Sequence, residues 1–440
     1  MNDRIADVPA DETLDGQNVC TESAEDTEGL TRQEIRRNMT CCITLDAIFA
    51  GGYQDMMVAM QPLLVYLGAS NTKIGALTGL MWLMWPGLIL SPWISKKFPI
   101  KKWLFYGTNA VNLAPIGIAG MVIVLSHYLH IPNPRLLLYV SIALVAYNFF
   151  GGFVTVPMQE YTAAVIPMSI RGRFSGLSAG IGNLFSLAAL AVSGWVLVHF
   201  QKPMSFGYLF LMSWFICQAG FTFALFAVEK PKKLESQPSP WSREMVKAAW
   251  NDKPWTRLLL VSSLNSIFYG QTLGFAAIYS YKVLHMSMAN SAGYTAVRLI
   301  VGILFATWAG FLIDKYGAKR IIPLWWFGPG IAMIIVLKWP TPFGMYLAWL
   351  LWAVWQSLWA TAQQVAFWSL PKPENRTGHY TLQVMVGAAS GSIGLVFAGF
   401  LCDKLGYHTV FVINLIASFF FIPVTFWAAK ALKAPGEQKT

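Results

Sequence analysis

The sequence predicts an all-α integral membrane protein of twelve transmembrane helices arranged as two six-helix bundles. Three observations carry that prediction: a composition too apolar for a soluble chain, twelve recurring apolar windows, and a repeat relating the two halves. Of 440 residues, 55% are hydrophobic and 12% charged, roughly half the charged fraction of a soluble domain. The net charge of +11 is spread between apolar runs and forms no single patch, which suits a bilayer surface and argues against nucleic acid.

The windows, each near the roughly 20 residues that cross about 30 Å of hydrocarbon, lie near 40–66, 74–94, 103–127, 136–160, 175–199, 206–228, 257–282, 290–312, 319–338, 343–369, 380–402 and 408–431. Residues 1–37 hold ten acidic groups and no apolar core, which reads as a disordered cytoplasmic tail and not a cleavable signal peptide. Lys and Arg number 18 in the loops of one side and 7 in the tails there, against 6 in the opposite loops. Both termini are therefore expected in the cytoplasm, and the chain is expected as a monomer in the plasma membrane (the inner membrane of a bacterium). The connection 229–256 pairs a Pro-rich "EKPKKLESQPSP" with an amphipathic "WSREMVKAAW". It separates an N-terminal bundle (38–228) from a C-terminal one (257–432), with a cytoplasmic tail at 433–440.

A shift of 219 residues lays "DAIF" at Asp46 over "NSIF" at Asn265, and "SPWISKKFPIK" at Ser91 over "GFLIDKYGAKR" at Gly310. A shift of 204 lays Gln159 over Gln363 and Pro167 over Pro371. Parallel six-helix repeats imply a two-fold axis along the membrane normal and a solute site near the midplane.

"GFLIDKYGAKR", Gly310 to Arg320, resembles the signature loop of the major facilitator superfamily. "IPMSIRGRFSG", Ile166 to Gly176, is similar to that family's basic loop between the fourth and fifth helices, and "GFLCDKLG", Gly399 to Gly406, to an echo of the signature. The resemblance implies the major facilitator fold and a gate at the cytoplasmic helix ends. On that reading the gating residues are Asp314, Lys315, Arg320, Arg171, Arg173 and Arg376; Glu160, next to Gln159, is expected at the cytoplasmic mouth as a gating residue or a solvated helix end. Two departures stand out. Ser95 occupies the place that Asp314 holds in the second half, so the gate there must be weaker or made otherwise. The fifth helix lacks the Gly-Pro pair of drug/proton antiporters.

In that fold the first, fourth, seventh and tenth helices line the cavity. The tenth offers Trp352, Gln356, Trp359 and Gln363 on one face. The fourth offers Asn148, Gly152, Thr155 and Gln159, and the seventh Ser262, Asn265, Tyr269 and Thr272. Amides and indoles suit a neutral, hydroxyl-rich solute such as a sugar; they also suit packing between helices. Asp46 and Asp55 are expensive inside a span and are candidates for proton coupling, "GYQD" resembling, with an offset of one residue, the first-helix Gly-Tyr-Asp of proton-coupled sugar porters. Nine residues place them on opposite faces, so both line one cavity only if the helix breaks, and Gly51 and Gly52 lie between them. Arg298 is the cation well inside a span; it snorkels outward, pairs with Asp55, or receives an anionic group of the solute.

The expected function is secondary active transport of a small polar organic solute, sugar-like, by alternating access with a proton (or sodium) as the symported ion. The alternatives are an efflux antiporter for amphipathic compounds and an organic-anion transporter using Arg298. No enzyme is expected, since no catalytic or metal-binding cluster of acidic residues and histidine appears and the five cysteines have neither metal nor disulfide spacing. No nucleotide-binding loop is found either, and no cofactor is called for.

Overall fold

The computed structural model describes residues 30–95, 97–167, 170–231, 243–268, 270–286, 288–370 and 376–432. The acidic tail up to residue 29, much of the central connection, Tyr269 and the C-terminal tail lie outside them.

Helix α1 (Arg32–Tyr66) opens with a capping box in which Thr31 Oγ1 accepts from Glu34 N–H and Thr31 N–H donates to Glu34 Oε2 at 2.6 Å. That exchange satisfies two of the orphan groups of a helix start. The second span is α2 (Asn71–Thr78), a 3-10 turn at Leu80–Met84, and α3 (Trp85–Ser95). Four long helices complete the first half: α4 (Lys101–Tyr128), α5 (Asn133–Val165), α6 (Arg171–His199) and α7 (Met204–Phe226). The amphipathic stretch of the connection forms α8 (Arg243–Asn251). The second half follows as α9 (Lys253–Phe268), α10 (Gly270–Lys282), α11 (Met288–Tyr316), α12 (Ala318–Ile321), α13 (Phe327–Lys338), α14 (Pro342–Ser369), α15 (Arg376–Phe420) and α16 (Ile422–Ala429).

Seven segments among the described residues are long and apolar enough to cross a membrane: Asn71–Ser95, Lys101–Tyr128, Asn133–Val165, Leu177–His199, Met204–Phe226, Ala318–Lys338 and Thr381–Ala429. The last runs for 49 residues, more than twice the need of one span, and the chain turns within it at Gly406, whose φ of 81° favours glycine. The remaining expected spans fall on α1, α9 with α10, α11 and α14, where acidic groups, amides and tryptophans dilute the hydropathy.

Gly51 and Gly52 do not break α1, which is continuous through them. They admit neighbours instead: a Cβ at Gly52 would lie 2.7 Å from Cys217 Sγ of α7, and one at Gly51 3.4 Å from Phe185 O of α6. Gly152, expected on the cavity stripe, serves the same purpose, for its Cβ would meet Met84 O at 2.0 Å. Asn38 is buried and ties three helix ends together, donating to Val165 O and Val228 O while accepting from Val228 N–H.

One apolar core lies wholly in each half: Cys42, Phe105, Tyr161 and Phe221 belong to the first, and Trp255, Trp326, Trp352 and Trp359 to the second. A third cluster crosses between them, joining Met56, Leu63 and Ile74 to Phe275, Ile278 and Ala398. It lies at the end of the molecule away from the termini.

Candidate functional site

The contact between halves is closest where α2 meets α15. A Cβ at Gly75 would lie 2.2 Å from Leu395 O, and one at Gly399 2.4 Å from Asn71 O, so backbone packs on backbone. Around this contact Asp403 accepts from Asn71 N–H at 3.1 Å, Thr72 N–H at 2.7 Å and Thr72 Oγ1 at 2.6 Å. Asn71 Oδ1 accepts in turn from Tyr407 OH at 2.8 Å and Lys282 Nζ at 3.2 Å. With Ser70 Oγ accepting from Lys73 N–H, the start of α2 is capped jointly by its own half and by the other. Burial pushes the Asp403 carboxyl up, and the hydrogen bonds from Thr72 and Asn71 outweigh it, leaving the group below the ordinary carboxylate range. Nearer the midplane Trp82 N–H donates to Ser392 Oγ and Trp85 Nε1 to Met385 O.

At the other end of the first half, the place of the missing signature carboxylate is filled from α5. Glu160 accepts from Ser95 Oγ and pairs with Lys101 Nζ at 3.1 Å, and Lys101 Nζ also reaches Ser95 O at 2.6 Å. Beside them Glu229 caps α4, accepting from Lys101 N–H at 2.6 Å and Lys102 N–H at 2.8 Å; burial pushes its carboxyl up against those bonds. Glu160 therefore joins helix ends within its own half. Lys315 and Arg320 are exposed, with Lys315 Nζ over the Tyr316 ring. The side chains of Asp314, Arg171, Arg173 and Arg376 lie outside the described residues.

Three serines of α6 face α1. Ser178 donates to Asp46 Oδ2 at 2.5 Å, Ser186 to Ala50 O at 3.0 Å and Ser193 to Asp55 Oδ1 at 2.5 Å. Their spacing of eight and seven residues keeps them on one helix face. The two aspartates do lie on opposite faces, yet both reach α6, because the contact is centred at Ala50 and Gly51 and each aspartate sits about 90° to one side of it. Asp55 is fully buried on the flank toward α7, near Cys217, and its Oδ2 has no hydrogen-bond partner among the described residues. Asp46 is half-buried on the opposite flank, the one it shares with Tyr53. That flank is turned toward the second half, for Arg298 of α11 lies in the neighbourhood of Tyr53.

The polar stripes divide between packing and open surface. Asn265 accepts from Trp325 Nε1 at 2.8 Å, and Trp325 stacks on Trp359, which is 2% exposed. Trp352 is buried against Trp349, and Gln363 Nε2 donates to Ser262 Oγ at 2.7 Å, tying α14 to α9. Asn148 and Thr155 turn back on their own helix, bonding Leu144 O and Gly151 O. Gln159 and Gln356 are half-buried. The seventh-span Tyr269 and the Thr272 side chain lie outside the described residues.

Arg298 is exposed, and not to lipid. The lipid face of α11 is marked by Ile300, Leu304, Trp308 and Phe311, all exposed and apolar; at about 100° per residue Arg298 lies more than 120° round from its centre. Val301 and Tyr294 on one side of it are buried, Tyr294 stacking on Trp349 of α14, while Gly302 on the other side approaches Asn183 of α6. The guanidinium accordingly faces the space between the halves, opposite Tyr53. Among the described residues no carboxylate pairs with it. No group of three potential metal ligands occurs among the described residues either.

Residues 294–440 match the family model of the Major Facilitator Superfamily. The fold is a major facilitator fold. Among solved structures, a mutant of the nucleoside transporter NupG superposes with a TM-score of 0.67 at 14% identity, over 91% of this chain and 100% of that one. A D-xylose-proton symporter gives 0.65 at 14% identity, covering 91% and 98%. A bacterial homologue of the iron transporter ferroportin gives 0.68 in its inward-facing state, at 12% identity over 90% and 99%, and 0.61 in its outward-facing state, at 12% over 89% and 99%. No curated relative matches the sequence. Two of the loops that resemble the superfamily's, Gly310–Arg320 and Gly399–Gly406, fall within the matched stretch, and α2 with α15, and α6 with α11, are the seams along which the halves meet.

Proposed function

We propose that this protein is a secondary transporter that moves a small polar organic solute across the plasma membrane by alternating access, with both termini in the cytoplasm. The observation that carries the reading is the joint between the halves: it is made of short hydrogen bonds and glycine contacts around Asp403 and Gly75, at the end away from the termini, with Asp46, Tyr53 and Arg298 on the surfaces behind it. Contacts of that kind can be exchanged for water without unfolding either bundle. With cytoplasmic termini the closed end is the outer one, which makes this the inward-facing state; the better superposition on the inward-facing ferroportin homologue supports it.

Proton symport fits Asp46, a carboxylate on the flank turned to the other half, with a hydroxyl donor to hold its ionised form. A hydroxyl-bearing part of the solute draws support from the half-buried amides Gln159 and Gln356 and from the sugar and nucleoside carriers of similar fold. Trp359 and Trp352, packed in the core, supply little of the sticky wall that efflux of amphipathic compounds would use.

The test is uptake by proteoliposomes offered labelled sugars, nucleosides, carboxylates, phosphate esters and lipophilic cations, with and without an inward proton gradient. Accumulation of one class that collapses with the gradient is expected. A monodisperse protein that accumulates none of them overturns the transporter reading.

A further inference from the structure

We propose that Arg298 is the binding point for an oxyanion group, so that the solute of this carrier is a small organic anion, a carboxylate or a phosphate ester; this rests on the transporter reading. An arginine inside a span costs several kcal/mol unless it meets water, a partner or a substrate. Lipid access is excluded by its position away from the face of Ile300, Leu304 and Phe311. A structural ion pair is excluded among the described residues, where neither Asp55, buried on the far flank of α1 and bonded to Ser193, nor any other carboxylate reaches it. What remains is an exposed arginine between the halves. Its neighbours Tyr294 and Val301 are buried in the core of the second half, so the helix that carries the charge is seated in one bundle. Tyr53 comes from the other bundle.

The arrangement has a mechanistic use. A guanidinium presents a planar fork of donors that matches a carboxylate or phosphate with two parallel hydrogen bonds. An oxyanion seated on Arg298 with its remaining lone pairs toward the Tyr53 hydroxyl would bridge α11 and α1, the two halves that must close on the solute. Binding would then favour the closed-in form in proportion to its differential contact with the two states. A neutral sugar offers Arg298 only hydroxyls and leaves its charge unmatched.

The experiment measures the thermal shift of the detergent-purified, full-length protein with four probes: succinate, glycerol 3-phosphate, D-xylose and tetraphenylphosphonium. Wild type is compared with Arg298→Lys, Arg298→Gln and Arg298→Cys. A shift with either anion that is lost in Arg298→Gln and partly kept in Arg298→Lys is expected. The cysteine variant guards against misfolding, because one preparation is divided and labelled with a cationic or an anionic methanethiosulfonate. Recovery of the anion-induced shift by the aminoethyl reagent, and not by the sulfonatoethyl one, is expected; the wild type treated alike controls for native thiols. Shifts with xylose or the phosphonium alone, an anion shift that persists in Arg298→Gln, or no anion shift at all would each overturn the assignment. The first outcome would leave the transporter reading standing, since that reading is judged by uptake and not by the class of ligand.

Discussion

Asp403 caps a helix that belongs to the other half of the molecule: its two carboxylate oxygens accept from the backbone N–H groups of Asn71, at 3.1 Å, and Thr72, at 2.7 Å. A helix start that borrows its acceptor from the other half ties secondary structure directly to the contact between the halves.

Titrating that carboxylate should loosen the joint. Its value in the closed state lies below the ordinary range, so its contribution is complete above about pH 4, the ordinary carboxylate value, and is lost as pH falls through the lowered one. Asp403→Asn removes the charge at every pH and should cost roughly 1 kcal/mol of the closed form after allowance for solvent exposure, about a fivefold change in population. The measurement is labelling of Met57→Cys, which lines the crevice between α1, α10 and α11, by an impermeant maleimide from the outer face. Labelling, corrected at each pH for the reactivity of a free thiol, should rise on acidification in the parent and stay high and flat in Asp403→Asn.

Glycine substitutions separate gate from scaffold. Gly75→Ala puts a methyl group 2.2 Å from Leu395 O across the halves, whereas Gly152→Ala puts one 2.0 Å from Met84 O within one half. Neither backbone oxygen can move aside. Gly75→Ala should raise outer labelling of Met57→Cys several-fold with a small change in melting temperature, and Gly152→Ala should lower the melting temperature by several degrees, a core overpacking cost of about 1–3 kcal/mol. Equal effects on both readouts would remove the distinction.

The aspartates should part company. Asp46→Asn, on the flank facing the second half, is expected to abolish gradient-driven accumulation while leaving counterflow intact. Asp55→Asn, buried with one oxygen unpartnered, is expected to keep coupling and alter stability. Unchanged pH dependence in Asp46→Asn would sink its role as proton carrier.

Restoring the family signature should do harm. Ser95→Asp would set a second carboxylate against Glu160 where Lys101 already serves one. A loss of about 1 kcal/mol is expected from like-charge repulsion in a partly buried site, read as a lower melting temperature. Rescue by Ser95→Asp with Glu160→Ser would place the effect in that triad.

Helix positions were legible because they are written in local periodicity. The six-and-six division is an expectation drawn from a polar connection, and the mutual opposition of Asp46 and Asp55 follows from helical rotation. The partners were not legible, because they are set by which helices touch. Asp403 appeared only as part of a signature echo, and nothing in the chain ties it to Asn71, over three hundred residues earlier. The serine spacing of α6 was open to view, yet its meaning depends on α1 lying alongside. For the tryptophan stripe, periodicity finds a face and does not say whether water or a neighbouring helix covers it: Trp359 meets Trp325, and Asn265 is spent on holding that indole.

The borrowed cap at Asn71 and Thr72 also makes the outer gate a matter of hydration. When the halves separate, those N–H groups and the Asp403 oxygens each exchange a partner for water. Opening therefore consumes solvent, and solutes excluded from protein surfaces oppose it. The carrier's outward-facing fraction should shrink as sucrose or a similar osmolyte is added outside, so the external osmotic state of the cell would act on the cycle with no dedicated sensor.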